Sequence, residues 1–519
     1  MRLFSLFIYF IFTLLHALVW AQEQNVLINS QFRYSSLLQS KMVATDSIDH
    51  KVTPLPLYFA QFNHSKIPFP VYNGSLSDAK GYSCYLNAGF YLRHESLILQ
   101  LAPEFTTYTQ PSYEGFSQKN SSILWSKRYA WWNQIDVPEN TYDSLMGYHL
   151  GQSFIGLDME KVILKLSTEN RWWGPGKYNA LVLSANGSGF PHISLSSDEP
   201  LSIGIATLEF QSITGLLSNS GLFPPDTSFI DRGNKLYVAK PETKRMLSGI
   251  SLSIHPEIFP GLTVGINNVT QQYIDQVETN DYMSGLTSLF LKSEGYYDNV
   301  PKQQLRSWFI NWQSRDSSFT IYGERIKQNP KLSFFDAQNY PDRGTGFLFG
   351  LEKHFPTRHN HQWVFTTEIT KMSQNPIYAI EDGTSIYLDQ KIRQGYTHKG
   401  ELLGSALGPG GNQQLFSLQF VTRKRIIGLE FQRYVRDLDF YYFAFSENRD
   451  FRRYWVDIGT ALFYQHDFEN MLINLSARHI YAINYQWEHP QDPDDLYFAP
   501  GRDLNNWQLQ CQLLIPIQL

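Results

Sequence analysis

From Trp507 to Leu519 the chain alternates with a period of two: Trp507, Leu509, Cys511, Leu513, Ile515, Ile517 and Leu519 fall on one face, while Gln508, Gln510, Gln512 and Gln518 dominate the other. Successive strand side chains point to opposite faces, so this stretch is a strand with one apolar and one amide-rich surface. Lipid suits the first and a wet lumen the second. At ~3.3 Å per residue and a ~45° tilt, such a strand crosses the ~25 Å apolar band of an outer membrane. Pro516 lacks a ladder donor, which is tolerable near a strand end. Beyond Ala21 no apolar run approaches the roughly 18 residues of a spanning helix, although 42% of the chain is hydrophobic and 15% aromatic. A β-barrel reconciles these facts, because lipid-facing residues alternate with polar ones and the mean hydropathy stays negative.

The same period recurs upstream. Tyr82, Cys84, Leu86, Ala88, Phe90 and Leu92 share a face, and Leu97, Leu99 and Leu101 return after His94-Glu95-Ser96. Val162, Leu164 and Leu166 read as a strand, as does 201–210. Ile250, Leu252 and Ile254 pair with Leu262, Val264 and Ile266, and Trp308, Ile310 and Trp312 turn at 314–317 into Phe319 and Ile321. Residues 180–185 and 192–196 read as two strands, and ahead of them lies a stiff turn, Trp172-Trp173-Gly174-Pro175-Gly176-Lys177-Tyr178, in which a fixed proline φ is joined to two permissive glycines. The polar connections 267–305 and 373–413 fit long extracellular loops. Roughly 420 residues at about 22–25 per strand imply about 16 to 20 strands, an all-β transmembrane antiparallel barrel over 81–519.

Two segments depart from the pattern. Residues 22–80, punctuated by Pro54, Pro56, Pro68 and Pro70, read as an irregular periplasmic segment. Between 114 and 142 the period changes: Ser117-Gln118-Lys119-Asn120 can cap a small helix through Ile123, Leu124, Trp125, Tyr129 and Trp132 that Pro138 stops. Ahead of both, Met1-Arg2, an apolar stretch from Leu3 to Trp20 and Ala21 make residues 1–21 a secretory signal cut after Ala21, with an uncleaved anchor as the alternative.

Most chemistry is excluded. The 43 basic and 48 acidic residues nearly balance without a basic stripe, so nucleic acid is not a partner. Cys84 and Cys511 lack zinc spacing; they lie near the first and last candidate strands, which leaves a bridge between them open. His354, His359 and His361 share a polar turn without an acidic ligand at helical spacing and read as solvated, so no metal is expected. Asp494-Asp495 and Glu381-Asp382 are adjacent pairs, unlike the facing carboxyls of a glycosidase. No G-x-S-x-G elbow occurs, and Gly408-Pro409-Gly410-Gly411-Asn412 lacks the Lys and helix of a P-loop, reading instead as a tight turn. We therefore expect no enzyme, no catalytic residues and no cofactor.

Two blocks resemble the Wzi family of capsule-assembly outer-membrane proteins. The first is Trp172-Trp173-Gly174-Pro175-Gly176 with Asn179, Ser184, Gly189, Phe190 and His192; the second is Gly395-Tyr396-Thr397-His398-Lys399-Gly400-Glu401-Leu402-Leu403-Gly404, continuing to Gly408-Pro409-Gly410. The resemblance covers roughly residues 80–519. It implies an outer membrane of a Gram-negative bacterium, a barrel of 18 strands, helices that pack at or partly plug the periplasmic end, with a simple helical loop as the alternative for 114–142, and the barrel-assembly machinery as a partner during biogenesis. The terminal Leu519, where many such barrels carry an aromatic, departs from the usual assembly signal. The function it implies is non-enzymatic, lectin-like anchoring of capsular or other surface polysaccharide, with outer-membrane lipid as the surroundings. Candidate polymer contacts are Tyr396, His398 and Lys399 in the second block and Tyr282, Tyr296, Tyr297 and Asp298 in the connection before it. The alternative is a porin-like transporter of solute or polymer. The Trp172–Tyr178 turn is expected to pack its rings against a wall or plug before it touches any ligand.

Overall fold

The computed structural model describes residues 50–517 apart from 71–73, 77, 110–112, 138, 140–143, 291–300, 331–337, 339–341, 359–360, 447–450, 469 and 489–500. Twenty-one strand segments form one sheet that closes on itself, and three pairs of them are single strands with a break, which gives 18 antiparallel strands. In order they are β1 His50–His64, β2 Gly81–His94, β3 Leu97–Leu101 with Glu104–Thr109, β4 Ser144–His149 with Phe154–Asp158, β5 Val162–Ser167 and β6 His192–Ser197 with Leu201–Ser202. There follow β7 Ala206–Leu217, β8 Arg245–Pro256, β9 Leu262–Tyr273, β10 Lys302–Gln313, β11 Phe319–Gln328 and β12 Thr345–Pro356. The last six are β13 Gln362–Lys371, β14 Asn412–Val421, β15 Arg425–Val435, β16 Val456–Phe468, β17 Met471–Ile483 and β18 Leu504–Ile515. Each strand pairs with its sequence neighbour, and β18 closes on β1 with Gln61 opposite Cys511.

Polarity is inverted relative to a soluble domain. Ile427, Leu429 and Phe431 on β15 and Trp507 and Leu509 on β18 are exposed outward, whereas Glu430, Gln432, Gln508 and Gln512 are buried inward. That is the alternation read from the last strand, and lipid replaces water on the outside. Three inward rings lie flat over a glycine of the adjacent strand: Phe309 over Gly265, Tyr322 over Gly350 and Phe463 over Gly428, where an added Cβ would come within 2.1, 2.1 and 2.0 Å of ring carbons. Glycine is required there because the ring occupies the side-chain position.

The end that carries His50 and Ile515 has short turns, such as 257–261 and 422–424, and the opposite end carries the long connections 168–191, 218–244 and 372–411. By the rule for outer-membrane barrels the short-turn end is periplasmic. Four helices of seven or more residues occur among the described residues: α1 Ser122–Trp132, α2 Ser284–Phe290, α3 Pro376–Asp382 and α4 Leu438–Ala444. All four lie in long connections. The helix expected between 114 and 142 therefore exists as α1, N-capped by Ser121 rather than within 117–120, but at the extracellular end and not the periplasmic one.

Further expectations need correction. Within 22–80, His50–His64 is a strand and the first of the barrel; Pro54 and Pro56 hid it, and Pro56 falls where the β1–β2 register shifts between Leu55 and Tyr58, a bulge that accommodates proline. Residues 180–185 form no wall strand; they enter the lumen, touching strand geometry at one bridge, Trp173 to Leu183. The connections read as 267–305 and 373–413 are shorter, because β9 runs to Tyr273, β10 starts at Lys302 and β14 starts at Asn412. The first of them looks polar at its ends because α2 folds back over the outer face of the wall, where Asn268 donates to the Gly285 carbonyl (2.7 Å) and Ser248 accepts from its N–H (3.1 Å). The cysteines are free, and β1 stands between them, with Gln61 paired to Cys84 on one side and Cys511 on the other. Two strand spacings, about 9.6 Å, exceed disulfide reach. The signal at 1–21, Pro138, His359, Tyr296, Tyr297, Asp298, Asp494-Asp495 and Leu519 lie outside the described residues.

Candidate functional site

The connection between β5 and β6 drops into the lumen and carries the first motif block. Its turn is fastened to wall carboxylates. Glu368 on β13 accepts from the N–H groups of Lys177 (2.8 Å) and Tyr178 (3.1 Å), from the Asn179 amide (3.0 Å) and from the Tyr322 hydroxyl (3.1 Å). Lys177 pairs with Glu352 on β12, and the Trp173 indole donates to Gln211 on β7. Gly174 has φ +137°, and a Cβ there would meet the Glu324 carboxylate of β11 at 2.6 Å. Glycine is needed for both the backbone and the approach. Trp172 folds onto its own turn, its indole donating to the Gly176 carbonyl at 3.1 Å. The rings thus pack against the lumen wall and the turn.

The second block lies against the first. Asn179 accepts from Ser405 (2.7 Å), Ser184 donates to the Gly404 carbonyl (2.6 Å), the Asn186 amide donates to the Leu402 carbonyl (3.0 Å) and Tyr387 donates to the Leu181 carbonyl (2.6 Å). Residues more than 200 positions apart thus form one body. Its own anchors are as dense: Arg245 on β8 donates to the carbonyls of Gly395 (2.8 Å) and Thr397 (2.9 Å), and Gln303 on β10 and Gln328 on β11 both donate to the Leu388 carbonyl. Tyr434 on β15 donates to the Leu407 carbonyl at 2.5 Å. Thr397-His398 and Glu401-Leu402 form a small hairpin whose turn, Lys399-Gly400, has positive φ at both residues. Gly410, at φ +62°, closes the tight turn against the start of α4, where a Cβ would meet the Asp439 nitrogen at 2.6 Å.

Above these blocks the long connections build an apolar core inside the barrel. Trp173, Leu181, Val182 and Leu183 from the first block join Tyr387, Tyr396, Leu402 and Leu403, and α1 and α4 add Trp125, Trp131, Phe440 and Phe443. The rings meet edge-on or stacked, as Trp131 on Phe443 at 5.9 Å and Phe116 on Trp125 at 5.1 Å, and each such pair adds ~0.5–1.5 kcal/mol beyond burial. Arg128 of α1 sits among the rings of Trp132 and Phe440 and pairs with Glu139; burial lowers its pKa to about 10, which leaves it charged. Asp439, wholly buried at the start of α4, is pushed up to about 7 by burial, against the pull of the Ser385 hydroxyl and the Gln374 N–H.

Within this plug the sequence-predicted contacts separate. Tyr396 and His398 are each 1% exposed: Tyr396 stacks on Tyr387, and His398 accepts from the Ser218 N–H (3.1 Å) while burial drops its pKa to about 3, so it is neutral. Neither side chain offers a surface to a polymer, which corrects both assignments. Lys399 is exposed, and Tyr282 is 54% exposed beside α2, its carbonyl accepting from the outward-facing Thr214 and Ser248. The family-motif residues Trp173, Gly176, Asn179, Gly395, Thr397, Gly400, Gly408 and Gly410 are buried, while Trp172, Gly174, Pro175 and Pro409 are half-buried. Sequence reasoning missed Arg245, Glu324, Glu352 and Glu368; a charged residue at an inward position of an otherwise amide- or apolar-lined strand was the available signal. His354 pairs with Glu352 on β12 instead of lying in a solvated turn. Among the described residues no group of His, Cys, Asp and Glu has metal-site geometry.

Comparison with known proteins agrees with this architecture. No curated protein matches the sequence. Among solved structures the chain is similar to Wzi of Escherichia coli, an outer membrane protein involved in group 1 capsule assembly and a carbohydrate-binding β-barrel, at 13% identity and a TM-score of 0.57 over 94% of this chain and 88% of that one. OccAB2 and OccAB4 of Acinetobacter baumannii follow at 11% and 9% identity, covering 89% and 88% of this chain and 98% and 97% of theirs, with TM-scores of 0.42 and 0.40. The family profile described as capsule assembly protein Wzi matches residues 87–441, a span that contains both motif blocks and the wall residues that hold them. The chain belongs to the Wzi family of capsule assembly proteins.

Proposed function

We propose that this protein holds surface polysaccharide at the outer membrane without altering it chemically. Family membership supports the substrate class, and the carbohydrate-binding E. coli barrel shares the fold. The observation that carries the reading against a transporter is the plug. From β7 round to β15 the wall donates or accepts hydrogen bonds to it, and its apolar core is continuous with inward wall residues such as Leu247, Leu305 and Leu348. A conducting porin keeps such a lumen wet and open. Polymer contacts then belong to the extracellular connections, with exposed Tyr282 and Lys399 as candidates and with Tyr296, Tyr297 and Asp298 in the same stretch as Tyr282. Each sugar hydroxyl exchanges water for protein at a net ~0.5–1.5 kcal/mol, so firm retention comes from many contacts along one chain or many barrels per cell.

Purified protein should retain the organism's own capsular polymer in a pull-down, release no new reducing ends from it and conduct little in a planar bilayer. New reducing ends would make it a hydrolase. Absence of binding together with clear single-channel conductance would make it a pore.

A further inference from the structure

The barrel wall is not of even height. β5 and β6 pair over only six residues each, Val162–Ser167 against His192–Ser197. Six residues extend about 20 Å, or roughly 14 Å across a membrane at the usual tilt, short of the ~25 Å apolar band. Above Ser167 and His192 the chain turns into the lumen as the first motif block. On one flank of this notch, Ser144–His149 of β4 pairs with Glu104–Thr109 of β3, and among the described residues no strand pairs with its other edge. The other flank is the end of β7.

The Lys399-Gly400 turn of the plug stands in the notch. The Lys399 N–H donates to the Ser218 carbonyl just past β7 (2.9 Å), and the Lys399 ammonium lies 3.4 Å from His149 Nδ1 on β4. The tip therefore reaches from one flank to the other. Lys399 is exposed, and among the described residues no carboxylate pairs with it. Around the notch the outward side chains are apolar and bare: Met146 at 89%, Tyr148 at 61%, Leu166 at 58% and Ile193 at 57% exposure. They continue the lipid-facing surface of the barrel. The cation meets the edge of β4 that is unpaired among the described residues, beside the inward-facing His149, while the outward side chains of the same edge are apolar; an edge with a cation on one side and apolar surface on the other is complementary to an anionic headgroup with its acyl chains alongside.

We propose that this notch is a binding site for a phosphate-bearing lipid of the outer leaflet, whose phosphate is held by Lys399 beside His149 and whose acyl chains lie on Met146, Tyr148, Leu166 and Ile193. Lys399 is also a candidate polymer contact, so the two readings compete for one residue, and the arms of the test tell them apart.

The test uses full-length protein in detergent micelles doped with a diphosphorylated glycolipid of lipid A type, read by native mass spectrometry. The wild type should keep one lipid adduct. The same glycolipid stripped of its phosphates should be kept about tenfold less, as loss of a charge-assisted hydrogen bond implies. Lys399→Asn removes the charge while Asn tolerates the left-handed backbone, and it should lower adduct occupancy similarly; Lys399→Glu should abolish it. Heat-modifiable migration on gels verifies that each variant is folded. Millimolar inorganic phosphate should not displace the lipid, and displacement would reduce the site to a free-anion site and overturn the lipid assignment. Equal occupancy in folded Lys399→Asn would also overturn it. So would capture of soluble anionic polysaccharide that is lost in that variant while the lipid adduct is unchanged.

Discussion

The wall and the plug of this barrel obey opposite rules. In the wall, apolar side chains face lipid on the outside while the inside mixes amides and carboxylates with apolar residues such as Leu247, Val269, Leu305 and Ile326; in the plug, rings of Trp, Tyr and Phe face one another and join those inward wall residues in one core. The two meet through hydrogen bonds and ion pairs, such as the four donors on Glu368 and the Arg245 fork on Gly395 and Thr397. The difference teaches where each part takes its stability. Strands are held by the ladder and by lipid, whereas the plug shares an apolar core with inward residues of β7 to β12 and is fixed in position by a polar seam. Disturbing the seam should loosen the plug and leave the barrel closed.

The largest effect is expected at Glu368. Replacing it with Ala strands up to four buried donors at ~1–3 kcal/mol each. Limited proteolysis should then cut within 172–190 while the sheet signal in circular dichroism is retained, and bilayer conductance should rise. Unchanged protease resistance would break the distinction between seam and wall. The reciprocal change is Leu429→Arg on the lipid face, exposed at 47%, which should cost the barrel ~2–4 kcal/mol in a bilayer refolding titration and leave conductance low. Third, Gly174→Val forces a β-branched residue to φ +137° against Glu324, a strain of ~1–3 kcal/mol or more, and should reduce the folded yield in the outer membrane.

A smaller effect should come from pH. The Asp439 carboxyl is raised by burial from 3.8 to about 7, so the folded plug binds a proton that the unfolded chain releases between those values. This contribution to stability is full below about pH 4 and is lost as pH rises through about 7. The plug should resist protease better at pH 5 than at pH 8, and Asp439→Asn should flatten that slope. Smallest of all, oxidation should do nothing: Cys84 and Cys511 are separated by β1, and both thiols should stay reactive to maleimide after air exposure. A crosslink would mean that the β1 seam opens.

The wall was largely legible in the sequence because lipid imposes period two directly on residue choice. Leu262–Ile266 against Ile250–Ile254 and the alternation of β18 follow from it. Where lipid is absent the signal fails. The outward ends of β9 and β10, Asn268, Thr270 and Gln304, are polar because α2 covers that face, so they looked like loop. Residues 180–185 are apolar at both parities because they lie in the plug core, and apolarity alone does not separate a buried strand from a buried coil. The motif turn was recognisable as rigid, but its partners lie on β11 to β13, and nothing local in Trp172–Tyr178 reveals a carboxylate some 190 positions away.

The joining of the two motif blocks also sets an order of events during biogenesis. When the β5–β6 connection has left the secretion channel, its main partners Glu368 and Ser405 are still to come, and β1 waits longer still for β18. Contacts this distant in sequence form late and slowly. Until then an aromatic turn, Trp172-Trp173, has no wall to lie against and is open to misassociation. Periplasmic chaperones that shield aromatic segments should therefore matter more to this chain than to an open barrel of equal length, and the plug must be seated before the β1–β18 seam closes around it.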